Sequence, residues 1–137
     1  MSLTFHLRCT GVILILLGLA HGGFGRRLNW QTDLQKLSLV NRQIFLVHCF
    51  YVALLLVMLG SLSLFMTPSL LLGNALSRAI LGASTLWWGI RLYIQWFVFE
   101  RALWRENRFN RRVHYLLTSF WVYFTVVDGM AFSSVLR

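Results

Sequence analysis

Acidic residues are scarce in this chain: four Asp and Glu stand against thirteen Lys and Arg, giving a net charge of +9 over 137 residues. An arginine placed inside an apolar segment therefore has few carboxylates to meet. Proline occurs once, at Pro68, so long helices can run without an internal break. Cysteine occurs twice, at Cys9 and Cys49. Counted along the spans that carry them, the two lie about 15 Å apart in depth at helical rise, whereas bridged Cα atoms sit within ~7 Å. Both read as small buried hydrophobes, not as a disulfide. The phosphate loop, H-E-x-x-H, C-x-x-C and G-x-S-x-G patterns are missing as well. Their absence removes the usual signatures of nucleotide, zinc-hydrolase, dithiol and serine-nucleophile chemistry, so no catalytic residue and no metal ligand is assigned.

What the chain does have is long apolar runs, with 58% of its residues hydrophobic. Four stretches, residues 9–25, 44–66, 75–99 and 113–132, approach or exceed the roughly 20 apolar residues that a helix needs to cross the hydrocarbon core. The expected fold is an all-α integral membrane protein. It forms a single four-transmembrane-helix bundle over residues 1–137, with little chain left for a soluble domain. The first run also resembles a signal peptide, with Arg8 ahead of it and Ala20-His21-Gly22 in the position of a small-x-small cleavage site. Cleavage there would leave the basic segment 26–42 as an exported N-terminus, against the positive-inside bias, so the run is expected to stay.

Loop charges set an orientation. The first loop carries Arg26, Arg27, Lys36 and Arg42, and the third, residues 100–112, carries five arginines and two glutamates. The second, residues 67–74, has no charge and holds Pro68, as expected where a helix has ended. Basic loops face the cytoplasm, which places both termini outside, in what reads as a bacterial inner membrane. The excess positive charge is accordingly assigned to topology and anionic lipid headgroups, and not to nucleic acid. Within the first loop, Thr32-Asp33-Leu34-Gln35 has the form of a capping box, and Leu34, Leu37 and Val40 follow at helical spacing. A short amphipathic interfacial helix is expected there. Trp30, Trp104 and Phe109 suit the same boundary, where amphipathic rings collect.

Small residues mark packing faces. Gly11, Gly18, Gly22 and Gly25 line the first run, and Ala75, Gly82 and Gly89, with Thr85 between, line the third. Such strips let backbones approach when lipid removes the hydrophobic drive between helices. In the fourth run, His114, Thr118, Trp121, Thr125 and Asp128 recur on one face, which must look toward other helices or a wet cavity. The facing side, with Leu117, Phe120, Phe124 and Val126, suits acyl chains.

Arg91 sits roughly 13 Å inside the cytoplasmic boundary at helical rise. Asp128 is the one acid within a span, about 10 Å nearer the outside. Because side chains lean toward their own helix N-terminus, the two lean toward each other, and a buried ion pair Arg91–Asp128 is expected. His21, His48 and His114 fall within roughly 3 to 9 Å of the same boundary on three different spans, with Gln95 at that level on the fourth. Neutral imidazole ligates haem iron and carries protons, so these four residues are the candidate cofactor site.

The expected function is that of a non-catalytic subunit, assembly factor or stabiliser of a larger membrane complex. Its partners would be the bilayer and other membrane subunits or further copies of itself. The alternative is a redox protein that binds haem, another porphyrin or a quinone through the inner-side histidines. A further alternative is a small transporter or proton path along the Asp128-to-His114 stripe.

Overall fold

The computed structural model describes residues 2–27, 30–100 and 107–137. Trp104, and with it much of the third loop, lies outside the described residues. Six helices follow one another, and no strand occurs among the described residues: α1 (Leu3–Arg27), α2 (Trp30–Leu34), α3 (Leu39–Phe65), α4 (Thr67–Leu70), α5 (Ala75–Phe97) and α6 (Arg108–Leu136). Three of them, α1 over Leu3–Gly23, α3 and α6, are long and apolar enough to cross a membrane. The helix expected from the third run forms over 23 residues, ending two short of the expected boundary, but Arg78, Arg91 and Gln95 dilute its apolar surface and it is not among those three.

Three of the long helices, α1, α3 and α6, start five or six residues before their apolar runs, while α5 starts with its run at Ala75. Backbone hydrogen bonding, unlike partition into lipid, does not require apolar side chains, and capping residues decide where the helix begins. Ser38 caps α3, accepting from the Asn41 amide. Asn107 caps α6, accepting from the Phe109 amide at 2.8 Å. The first loop differs from expectation for the same reason. α2 begins at Trp30 and ends at Leu34, the chain turns through residues 35–37, and Ser38 opens a new helix. Leu34, Leu37 and Val40 therefore do not share one helical face. Backbone bonds from the Lys36 and Leu37 amides to the Asp33 and Leu34 carbonyls, each 3.2 Å, close the turn, and an exposed Lys36–Asp33 ion pair of 3.4 Å spans it.

The chain divides into two compact units. The unit over residues 7–67 contains most of α1, α2 and α3, and α1 meets α3 at glycine. A Cβ at Gly11 would lie 2.6 Å from the Gly60 carbonyl oxygen, and one at Gly18 would lie 2.8 Å from the Ala53 carbonyl oxygen. The two backbones are in direct contact there, an approach that only a missing side chain permits. Trp30 of α2 meets Phe45 of α3 edge to face, at 4.9 Å between centroids.

The other unit, residues 1–6 and 68–137, is built on α5 and α6. Pro68 occupies the first turn of α4, where its missing N–H costs nothing. Gly73 then takes a left-handed φ of 72° in the turn that leads into α5. Asn74 caps α5 by accepting from the Ser77 amide at 2.8 Å. Trp88, Phe124 and Ala131 are among the buried residues of this unit, and a Cβ at Gly82 would touch the Phe132 ring at 3.1 Å.

Candidate functional site

The polar groups of α5 and α6 form a ladder. At one end the Arg78 Nε donates to the Val135 carbonyl at 2.9 Å, satisfying an oxygen that the last turn of α6 leaves without an intrahelical donor. Next, the Ser84 hydroxyl donates to the Asp128 carboxylate. Trp88 then stacks on Trp121, with 5.5 Å between centroids and 8° between planes. At the other end the Arg91 Nη1 donates to Gln95 Oε1 at 3.0 Å, and the Gln95 amide bonds His114 Nδ1 at 2.7 Å. Rising numbers on α5 meet falling numbers on α6, so the rungs define an antiparallel register.

The wiring at the Arg91 end fixes the state of the histidine. Because Gln95 spends its oxygen on Arg91, its NH2 group must face His114 and donate. His114 Nδ1 is then an acceptor, and a neutral ring carries its proton on Nε2. Gln95 is 2% exposed, so this amide bridge is shielded from competing water. Arg91 Cζ also lies over the Trp121 ring at 4.9 Å and over Phe99 at 5.6 Å, contacts that stabilise the charge without consuming N–H groups.

The ion pair expected between Arg91 and Asp128 is not formed. Neither residue takes part in an ion pair among the described residues. Arg91 reaches along its own helix to Gln95, four residues on, while Asp128 sits opposite Ser84, about two turns away on α5. Helical lean does not close that gap, because each group finds a nearer partner. Asp128 is 2% exposed, and its Oδ1 has no hydrogen-bond partner among the described residues; neither does Trp121 Nε1.

The stripe of α6 faces α5 through His114, Trp121 and Asp128, while Thr118 and Thr125 turn their hydroxyls onto the carbonyls of His114 and Trp121, each at 2.7 Å. Phe124, expected on the acyl-chain side, is instead fully buried beside Trp88 and Trp121. Its ring is near enough to the seam to be drawn into it.

The four candidate cofactor residues fall into two sets. Gln95 and His114 are bonded to each other in the α5–α6 unit. His21 and His48 line one groove of about 590 Å³ in the other unit, together with Trp30, Phe45, Cys49 and Val52. His21 Nδ1 bonds the Leu17 carbonyl at 2.8 Å. His48 is exposed and makes no hydrogen bond among the described residues. No group of three or more His, Cys, Asp or Glu side chains able to hold a metal ion occurs among them.

No family model, curated protein or solved structure matches the chain.

Three contributors were not singled out from the sequence. Ser84 and Trp88 belong to a stripe, Ser84-Trp88-Arg91-Gln95, with the i, i+4, i+7, i+11 spacing that α6 also shows. The same periodicity test applied to α5 finds it. His6, given no role, bonds the Tyr123 hydroxyl through Nδ1 at 3.0 Å, a long-range pairing that carries no local sequence signal.

Proposed function

We propose that this chain is a non-catalytic helical subunit or stabiliser of a larger membrane assembly, built as a four-span bundle with its basic loops in the cytoplasm and both termini outside. The observation that carries this reading is His48. It lies about 13 Å along α3 from the helix start at 1.5 Å per residue, on a stretch, residues 43–48, whose side chains are all exposed. Lipid tails satisfy the apolar neighbours Ile44, Phe45 and Val47 but offer an imidazole nothing. A polar or aromatic contact from another membrane helix would.

Two further features support it. The polar stripes of α5 and α6 are largely spent on each other, which is the chemistry of helix packing more than of turnover. Gly22 and Gly23 on α1 and Gly89 on α5 have open space where a Cβ would stand, which leaves room for a close helix approach. For the fourth span, α5 is long enough, and Arg78, Ser84 and Gln95 bond to α6 instead of facing acyl chains.

Site-specific photocrosslinking in native membranes tests the proposal. A crosslinker at His48 is expected to give one discrete protein adduct, whereas one at Leu16, exposed on α1, serves as the lipid-facing comparison. Lipid adducts alone at both positions would refute it. A band at twice the chain mass would identify the partner as a second copy.

The shared groove of His21 and His48 favours a second reading, a porphyrin or quinone bound in the unit over residues 7–67. An absorption spectrum of gently purified protein, with a Soret band lost in His48→Ala, would support the porphyrin. A quinone would appear as extracted lipid-soluble material lost in the same variant.

A further inference from the structure

Arg91 stands out because its charge meets no counter-charge among the described residues. Every acid among the described residues is either elsewhere bonded or not paired with it. Of the five N–H hydrogens on a guanidinium, its hydrogen bonds account for one, given to Gln95. The rings of Trp121 and Phe99 face its charge, yet they take no N–H hydrogen from it. Gln95, itself buried and tied to His114, anchors the side chain so that the guanidinium is held in place.

Depth identifies what such a group meets. Arg91 is six residues from the end of α5 and His114 six from the start of α6, about 9 Å from the helix ends. α6 has 29 residues, about 43 Å of helix against a hydrocarbon core of ~30 Å. Shared between the two ends, the overhang puts His114 about 2 Å inside the hydrocarbon boundary, whereas the 23 residues of α5 put the Arg91 backbone about 7 Å inside it, so the side chain, extended toward Gln95, covers most of that distance. That is the level where lipid phosphates can be reached by a long side chain.

We propose that Arg91, positioned by Gln95 and His114 and backed by Trp121, binds the phosphodiester of an anionic phospholipid headgroup. The chemistry is that of an oxoanion accepting two parallel N–H bonds from one guanidinium, which Arg provides and Lys does not. A single uncompensated positive charge favours a headgroup of net charge −1 over a zwitterion. The proposal rests on α5 lying in the bilayer as a span.

The test uses the full-length protein in nanodiscs of POPC with a minority of POPG, followed by mild delipidation and native mass spectrometry. Thermal melting is recorded on the same samples. Wild type is expected to retain one POPG per chain, Arg91→Gln to lose it by about tenfold or more, and Arg91→Lys to retain it at an intermediate level with its melting preserved. Equal POPG retention in wild type and both variants would overturn the proposal. Equal loss of POPC and POPG would do so too, since that is the signature of a general packing defect. If Arg91→Gln does not fold, the Lys variant alone decides, because undiminished retention with Lys contradicts a bidentate site. In POPC-only nanodiscs, stabilisation of wild type but not of Arg91→Lys by inorganic phosphate would assign the site to a soluble oxoanion and overturn the lipid. Labelling of a cysteine in mid-α5 by a membrane-impermeant reagent would instead refute the span, whatever the lipid retention.

Discussion

Asp128 and Ser84 show how a buried acid is accommodated without a cation. A carboxylate that accepts from one hydroxyl and has its other oxygen unpartnered behaves as a hydrogen-bonding group set into the helix seam. An amide should then replace it with little loss. We expect Asp128→Asn to change stability by less than about 1 kcal/mol, and Asp128→Ala or Ser84→Ala to cost about 1–3 kcal/mol, the range for stranding a buried polar partner. The Ser84–Asp128 double-mutant cycle should show coupling above about 0.5 kcal/mol, and an Arg91–Asp128 cycle should be additive within that margin. Coupling in the second cycle, measured by thermal melting in detergent, would restore the ion pair that the structure does not contain. The mispairing of these two residues from sequence has a plain cause. Depth along a helix can be counted, but which of several neighbours a side chain chooses depends on rotation about two helix axes.

At the scale of the helix, the glycines divide by environment. Gly11 and Gly60 approach within the reach of a single carbon, and Gly22 faces open space, although all three look alike in the sequence. Gly11→Ala should therefore force the α1–α3 backbones apart and cost about 1–3 kcal/mol, the usual range for overpacking. Gly22→Ala should be neutral or slightly stabilising through its helix propensity. Fluorescence-detected melting of the two variants side by side checks this, and equal effects would argue against the observed crossing.

The four long helices were legible, since 3.6-residue periodicity and apolar length are local properties, whereas the short α4 lies in a stretch that reads as a loop. The α5–α6 stripe was legible in half. The α6 face was found from its spacing, while on α5 Arg91 and Gln95 were singled out for depth and the stripe that joins them to Ser84 and Trp88, present at the same spacing, was passed over. Helix ends were legible least well. Ser38 and Asn107 start helices several residues outside the apolar runs, and hydropathy does not see a cap.

For the whole molecule, four spans with cytoplasmic basic loops make a definite expectation. Leu72, 71% exposed in the turn between α4 and α5, is converted to Cys in a background where Cys9 and Cys49 are replaced. It should then react with an impermeant maleimide in intact cells, and Asn107→Cys should react only after permeabilisation. The opposite pattern would invert the topology, and labelling of both in intact cells would mean that α5 does not cross. His21 shares a groove with His48 and His114 is bonded to Gln95, a division that equal depth along the chain could not anticipate.

The ladder between α5 and α6 also bears on how such a chain is made. α5 is synthesised first, carrying Arg78, Arg91 and Gln95 at positions where a lone helix pays heavily to enter lipid. The groups that satisfy two of them, the Val135 carbonyl and the His114 ring, do not yet exist at that moment, and Val135 follows α5 by the length of a whole helix. If α5 spans the bilayer, it must wait at the insertion machinery or at the membrane surface until α6 follows. The unit that the bilayer accepts is then the hairpin and not the helix, and insertion of the third and fourth spans becomes one concerted event.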